Sequence, residues 1–304
     1  MNEIKFVDEE EASETLPEDF EPYVKEWFND QFPGLSAPQK YSFDLIHNNE
    51  NSLICAPTGS GKTLSAFMSA LNELFAMGDE GELDDEVYVL YVSPLRALGN
   101  DIERNLEDPL NGIKEKAEEM GYEVPEVRSA VRTGDTTDAE KAKMREKPPH
   151  IMITTPESLG ILLSSPKFRE KMRNVKYTII DEIHSLSENK RGVHMSMSME
   201  RLENLTNTSP TRIGLSATQA PIDEIAKYLV GYDVEEETWT EETEYENITG
   251  AEEAEEDKYE TRGCNIVDVA ASKEIDLETI SPVRDLIHTD PYEVNEAMYD
   301  RIHN

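Results

Sequence analysis

The stretch Leu53-Ile54-Cys55-Ala56-Pro57-Thr58-Gly59-Ser60-Gly61-Lys62-Thr63 decides the fold. An apolar β-type run passes into a glycine-rich turn and then opens a helical pattern over Thr63–Met77. That strand–loop–helix context is what a phosphate-binding loop requires. Its glycines let backbone N–H groups turn inward around phosphate oxygens, and the helix N-terminus adds partial positive charge. In this reading residues Ala56, Pro57, Thr58, Gly59, Ser60, Gly61, Lys62 and Thr63 wrap a nucleotide. Lys62 reaches the β- and γ-phosphates and the Thr63 hydroxyl meets a Mg²⁺ ion. Ala56 stands where the usual pattern has its first glycine, so the strict motif is missed at one position. A plain Gly/Ser turn ahead of an ordinary helix accounts poorly for Gly-Ser-Gly-Lys-Thr in this setting.

Outward from the loop, short apolar runs alternate with longer helical stretches. Ser52–Ala56, Val87–Ser93, Val127–Val131, His150–Thr155, Tyr177–Asp181 and Thr211–Ser216 read as strands, and Gly263–Ala270 offers one more. Near-continuous apolar character means burial on both faces, as in a parallel sheet. Crossovers such as Thr63–Met77 and Gly99–Asn105 complete an α/β pattern, a doubly wound, mainly parallel sheet with helices on both faces. Ligands in such sheets bind beyond the carboxyl ends of the strands. Four segments are expected: an acidic flexible arm over 1–18, the main domain over 19–232, an acidic linker or insertion over 233–260, and a strand with the start of a connection over 261–304. The third holds fourteen Asp or Glu against one Lys, a composition that favours a solvated segment.

Two further sites carry chemistry. Asp181-Glu182-Ile183-His184 follows the run Tyr177–Ile180. Beside a nucleotide, Asp181 can hold Mg²⁺ through its water shell and Glu182 can orient and deprotonate the attacking water. Taken alone the pair could equally be a solvated strand terminus; the phosphate loop upstream gives it meaning. Ser216-Ala217-Thr218 by itself is only a small-residue turn after a strand. His47, His150 and His194 show no metal-ligand spacing and read as surface or packing residues. Met195, Met197 and Met199 alternate with serines, which fits a strand or, after Gly192, a helix; the stripe reads as packing.

Composition sets the boundaries. Of 304 residues, 65 are Asp or Glu and 29 Lys or Arg, a net charge of −36. Such a chain is repelled by phosphate backbones at low salt, because nucleic-acid affinity rests on cation contacts that release counterions. The excess runs through most of the sequence, which suits a high-salt cytoplasm where the Debye length falls to about 3 Å at 1 M. No apolar run is long enough to span a membrane, and the residues after Met1 lack the pattern of a signal peptide. Two cysteines, Cys55 and Cys264, make neither a disulfide framework nor a four-ligand metal site.

The series Ala56–Thr63, Asp181–His184, Ser216–Thr218 resembles the ATP-binding half of superfamily 2 DEAD/DEAH-type helicases, in order and spacing. Gln39, 23 residues ahead of Lys62, resembles the family's adenine-reading glutamine. The segments Pro94–Leu98, Arg132–Thr136, Thr154–Ser158 and Lys190–Gly192, with the tail from Val267 to His288, are most similar to the Lhr (large helicase-related) group of archaeal and bacterial DNA helicases. The resemblance implies a RecA-like P-loop NTPase lobe that uses ATP and Mg²⁺ and acts on nucleic acid, with DNA favoured and RNA open. It implies that Ser216 and Thr218 couple hydrolysis to strand movement and that His184 bridges towards the Ser216 loop. It places Pro94, Arg96, Gly134, Thr155, Pro156 and Glu157 in segments that face the nucleic-acid backbone. Read from the residues alone, Arg96 and the Thr155 hydroxyl could contact phosphate, or Arg96 could be a solvated charge.

The family's motors need two sheet lobes, and the far lobe's arginine-bearing motif is absent from this sequence. The expectation is therefore a helicase ATP-binding lobe, a fragment or split half that needs a second lobe, supplied in trans or missing, for full activity. A stand-alone nucleotide-binding module and an inactive helicase remnant stay open beside it. The guanine-reading N-K-x-D and the LSGGQ signature are both absent, which argues against GTP switches and ABC-type ATPases.

Overall fold

The strand at Tyr177–Ile180 shows how the sheet is made. Tyr177 and Ile179 enter one core cluster, while Ile180 enters the other. Successive side chains of a strand point to opposite faces, so a run that is buried at every position must be covered twice. The computed structural model describes residues 3–94, 103–217, 221–234, 259–269, 281, 283 and 289–303. They fall in two units, residues 1–270 and 271–304.

In the first unit the chain begins β1 (Ile4–Phe6), α1 (Pro22–Gln31), α2 (Ala37–His47), β2 (Ser52–Cys55), α3 (Lys62–Asp79), β3 (Val89–Val92) and α4 (Asp108–Glu119). It continues β4 (Ser129–Arg132), α5 (Asp138–Glu146), β5 (Ile151–Thr154), α6 (Pro156–Ser164), α7 (Pro166–Arg169), β6 (Tyr177–Ile180), α8 (His184–Ser187) and α9 (Lys190–Glu203). It closes with β7 (Thr211–Ser216), α10 (Ile222–Val230), β8 (Tyr232–Val234), β9 (Tyr259–Thr261) and β10 (Cys264–Asp268). The second unit holds α11 (Pro291–His303).

Eight strands form one sheet in the order β1-β10-β2-β7-β6-β3-β5-β4, and every neighbouring pair in it is parallel. One face is covered by α1, α2, α3 and α4 through Tyr23, Phe28, Phe43, Phe67, Leu71 and Ile113. The other is covered by α6, α9 and α10 through Leu159, Leu162, Met195, Met199, Ala226 and Leu229. Burying a side chain of this size stabilises by about 1.5–3 kcal/mol, so the two clusters fix the register of the central strands. The expected doubly wound architecture is present, and the seven strands read from sequence appear, with Val127–Val131 displaced to Ser129–Arg132 and Gly263–Ala270 shortened to Cys264–Asp268. Part of the expected helix Gly99–Asn105 lies outside the described residues.

Two expectations need correction. Residues 1–18 are not simply an arm: Ile4–Phe6 pairs with Cys264–Ile266 as the edge strand of the main sheet. Nor does the main domain stop at 232. β10 lies inside the sheet between β1 and β2, with Asn265 opposite Ser52 and Asp268 opposite Cys55. Both pairings join segments more than 200 residues apart, a relation no local pattern reports. The methionine stripe is helical: Met195 and Met199, four apart, are buried and Met197 is exposed. The ends of the acidic stretch pair as the antiparallel β8 and β9; residues 235–258 lie outside the described residues. Among the described residues, no helix is long and apolar enough to cross a membrane.

Candidate nucleotide site and the neighbouring strand ends

β2 ends at Cys55, and the chain turns through the glycine-rich loop into α3, which starts at Lys62. Gly59 has φ +78° and Gly61 φ +92°, values that favour glycine. A Cβ on Gly61 would stand 2.9 Å from Ser36 Oγ and 3.1 Å from Gln39 Nε2, so the loop is pressed against the start of α2. Gln39 is buried there, its side-chain carbonyl accepting from the Ser36 amide at 2.8 Å. It thus caps its own helix with its oxygen, and its Nε2 is the group beside the loop. Lys62 is buried, and no acidic partner for its ammonium is found among the described residues. Burial pushes the Cys55 thiol up to about 12, with Asp268 acting in the same direction and Lys62 against it.

The sheet brings the acidic segment to the same edge. β7 lies between β2 and β6, with Cys55 opposite Ser216 and Ile180 opposite Gly214. Two strand spacings, about 10 Å, separate the β2 and β6 backbones. The Ala56 amide donates to the Ser216 carbonyl at 3.1 Å and the Ile183 amide to the Leu215 carbonyl at 3.0 Å, which draws all three ends together. Glu182 has φ +47°, a left-handed conformation uncommon outside glycine. Its carboxylate lies 3.2 Å from His184 Nε2. His184 Nδ1 lies 3.1 Å from Ser216 Oγ, and that hydroxyl donates to the Ala217 carbonyl at 2.6 Å. The imidazole of His184 thus links the Glu182 carboxylate to the Ser216 hydroxyl through its two ring nitrogens.

Asp181 accepts from the Tyr91 hydroxyl at 2.6 Å on Oδ2 and from the Glu182 amide at 3.0 Å on Oδ1. Each oxygen keeps a lone pair for a further donor or ion. Thr63 in the first turn of α3 and Asp181 at the end of β6 are oxygen donors, and hard cations such as Mg²⁺ take such ligands. The residues present fit that ion.

Beyond β3, β5 and β4 the picture changes. Thr155 is buried, and its hydroxyl caps α6, accepting from the Ser158 amide and donating to Ser158 Oγ at 3.2 Å. In this structure the hydroxyl that could contact phosphate is engaged in the helix cap. Pro156 fills the first helical position and Glu157 follows. Arg191, at the start of α9, grips Glu157 at 2.6 Å and donates to the Pro94 carbonyl at 3.0 Å. That guanidinium holds the Glu157 carboxyl below the usual range. Gly134 sits in the turn after β4, with open space around it. Arg96 and Thr218 lie outside the described residues. Tyr91 and Arg191, which contact the candidate residues Asp181 and Glu157, were not singled out from the sequence. Arg191 stands in a quoted segment, but Tyr91 looks like any aromatic in a buried strand.

The match to known proteins follows these elements. The family model for DEAD/DEAH box helicases matches residues 36–225. ATP-dependent helicase Lhr-Core of Methanothermobacter thermautotrophicus is 50% identical over 93% of this chain and 30% of its own length. ATP-dependent helicase Lhr-Core protein 2 of Thermococcus barophilus is 49% identical over 98% of this chain and 32% of its own. The structure of Mycobacterium smegmatis helicase Lhr bound to ssDNA and AMP-PNP superposes with a TM-score of 0.71 at 36% identity, covering 94% of this chain and 32% of that one. The chain thus spans about a third of the length of the curated relatives it matches. It belongs to the DEAD/DEAH box helicase family.

Proposed function

We propose that this chain is the ATP-binding lobe of an ATP-dependent nucleic-acid helicase of the Lhr type, and that it acts on DNA with a second lobe. The observation that carries the reading is the run Glu182–His184–Ser216 at the edge where the glycine-rich loop opens. The loop amides and Lys62 bind the phosphates, and Thr63 and Asp181 would hold Mg²⁺, which would supply positive charge to neutralise the phosphates. Glu182 orients and deprotonates the attacking water, held by its backbone conformation and by His184. Gln39 offers its Nε2 as a donor to the adenine. Ser216, with Thr218 beyond it, relays the state of the site to the rest of the motor.

Nucleic acid lies across the ends of β3, β5 and β4, over Pro94, Gly134, Pro156 and the Glu157–Arg191 pair, and Arg96, outside the described residues, is a further contact on the strength of the sequence alone. Thr155 supports that surface from below through its helix cap. Contacts to sugar and phosphate carry no base information, so sequence preference is slight. A second lobe adds the arginines that stabilise the transferring phosphoryl group, worth about 10³–10⁵ in rate where measured. The charge of −36 suits work in a high-salt cytoplasm.

The test is ATP hydrolysis and single-strand binding by the chain, alone and with the rest of a full-length relative, from low to molar KCl. Slow hydrolysis alone, stimulation by the added part and by DNA, and DNA binding that persists at high salt are expected. Rapid DNA-stimulated turnover by the isolated chain contradicts the need for a second lobe. A steady fall in binding with no recovery at high salt contradicts the salt adaptation.

A further inference from the structure

Tyr91 occupies the third position of β3, and its side chain is 2% exposed. Its ring stacks on Phe67 of α3, with centroids 5.1 Å apart and planes 26° from parallel. Phe67 lies one to two turns along the helix that begins with Lys62 and Thr63. On the other side, the Tyr91 hydroxyl donates to Asp181 Oδ2 at 2.6 Å. Strand pairing makes that reach possible. Tyr91 is opposite Ile179, and the Asp181 amide is bonded to the Val92 carbonyl, so Asp181, two residues beyond Ile179, stands diagonally next to Tyr91 on the same face. One residue therefore bears on both elements proposed to supply the ion's oxygen ligands. A phenylalanine would fill the same core volume and stack equally well. Packing alone does not call for the hydroxyl, although a buried phenol does need some partner.

We propose that Tyr91 is a positioning residue for Asp181, holding one carboxylate oxygen so that the other faces the divalent cation that accompanies the nucleotide. The inference rests on the proposed function, which makes Asp181 a cation ligand. Small hard cations demand near-ideal oxygen geometry. Partners that orient a ligating group typically change metal affinity by about 10–100-fold when removed. With its Oδ1 fixed by the Glu182 amide and its Oδ2 by the phenol, the Asp181 carboxylate is held in one plane.

The experiment is AMP-PNP binding to the whole chain, titrated with Mg²⁺ and repeated in EDTA, for wild type, Tyr91→Phe, Asp181→Asn and the double variant, with melting curves for each. Tyr91→Phe should leave affinity in EDTA within about twofold and raise the Mg²⁺ midpoint about tenfold. In the Asp181→Asn background the same change should add nothing. A Tyr91→Phe midpoint equal to wild type, whatever its melting temperature, overturns the proposal and leaves a packing residue. An equal loss with and without Mg²⁺ also overturns it, since the effect then passes through the fold. Should Tyr91→Phe fail to fold, Phe67→Leu loosens the ring and keeps the hydroxyl; a rise in the Mg²⁺ midpoint supports the proposal and an unchanged one overturns it. Wild-type binding that ignores Mg²⁺ would instead refute the underlying reading of the site, and Tyr91 with it.

Discussion

The two halves of the sheet's carboxyl edge are built differently. At the ends of β2, β7 and β6, functional groups stand ready: Lys62 has no acidic partner among the described residues, two glycines hold left-handed backbone, and Glu182 is held in a strained conformation. At the ends of β3 and β5, groups are committed to one another: Thr155 to its helix cap, Glu157 to Arg191, and Arg191 also to Pro94. The first half is shaped to receive a ligand. The second is a tied surface across which a partner can lie. Strain and unpaired charge persist where a site needs them, whereas a positioning surface can satisfy its own polar groups.

That contrast can be broken most sharply at Glu182. Glu182→Gln should retain nucleotide binding and lower ATP hydrolysis by about 10²–10⁴, the usual worth of a positioned base. Loss of binding instead would make Glu182 a structural residue. Lys62→Ala should lower kcat/KM by about 10²–10³, comparable to deleting one preorganised donor, and should weaken nucleotide binding as well.

A pH titration of stability probes the foot of the second half. His150, just ahead of β5, is buried, and burial first and then Arg128 hold its pKa down to about 4. The unfolded chain therefore binds the proton more readily, so stability is full above about pH 6.5 and falls as pH drops towards 4. Between pH 7 and 5 the loss should be about 2 kcal/mol, and His150→Gln should flatten it. The smallest effect belongs to Arg191 and Glu157. Both are roughly half exposed, so a double-mutant cycle on stability should give about 0.2–1 kcal/mol, while Arg191→Ala weakens DNA binding a few-fold.

What was legible in the sequence follows the same division. The loop from Ala56 to Thr63 announces itself because glycine, lysine and threonine at those positions serve no ordinary packing need. The buried strands show through their unbroken apolar runs. Tyr91 could not be singled out, because its hydroxyl acts across two strands and a buried aromatic is unremarkable in a strand. The helix cap made by the Thr155 hydroxyl was legible in principle, since a threonine before a proline is a common helix start. β1 escaped because it is short, and the place of β10 in the main sheet escaped, although its strand was read, because both find partners more than 200 residues away.

The central claim is that the glycine-rich loop and the acidic segment form one cation-dependent nucleotide site. The most direct measurement is a double-mutant cycle with Thr63→Ala and Asp181→Asn, read as the Mg²⁺-dependent part of AMP-PNP binding. Sharing one ion should make the two losses strongly non-additive, by more than about 0.5 kcal/mol, with the double variant little worse than either single. Losses that simply add, or binding in both variants that depends on Mg²⁺ as in wild type, would contradict it.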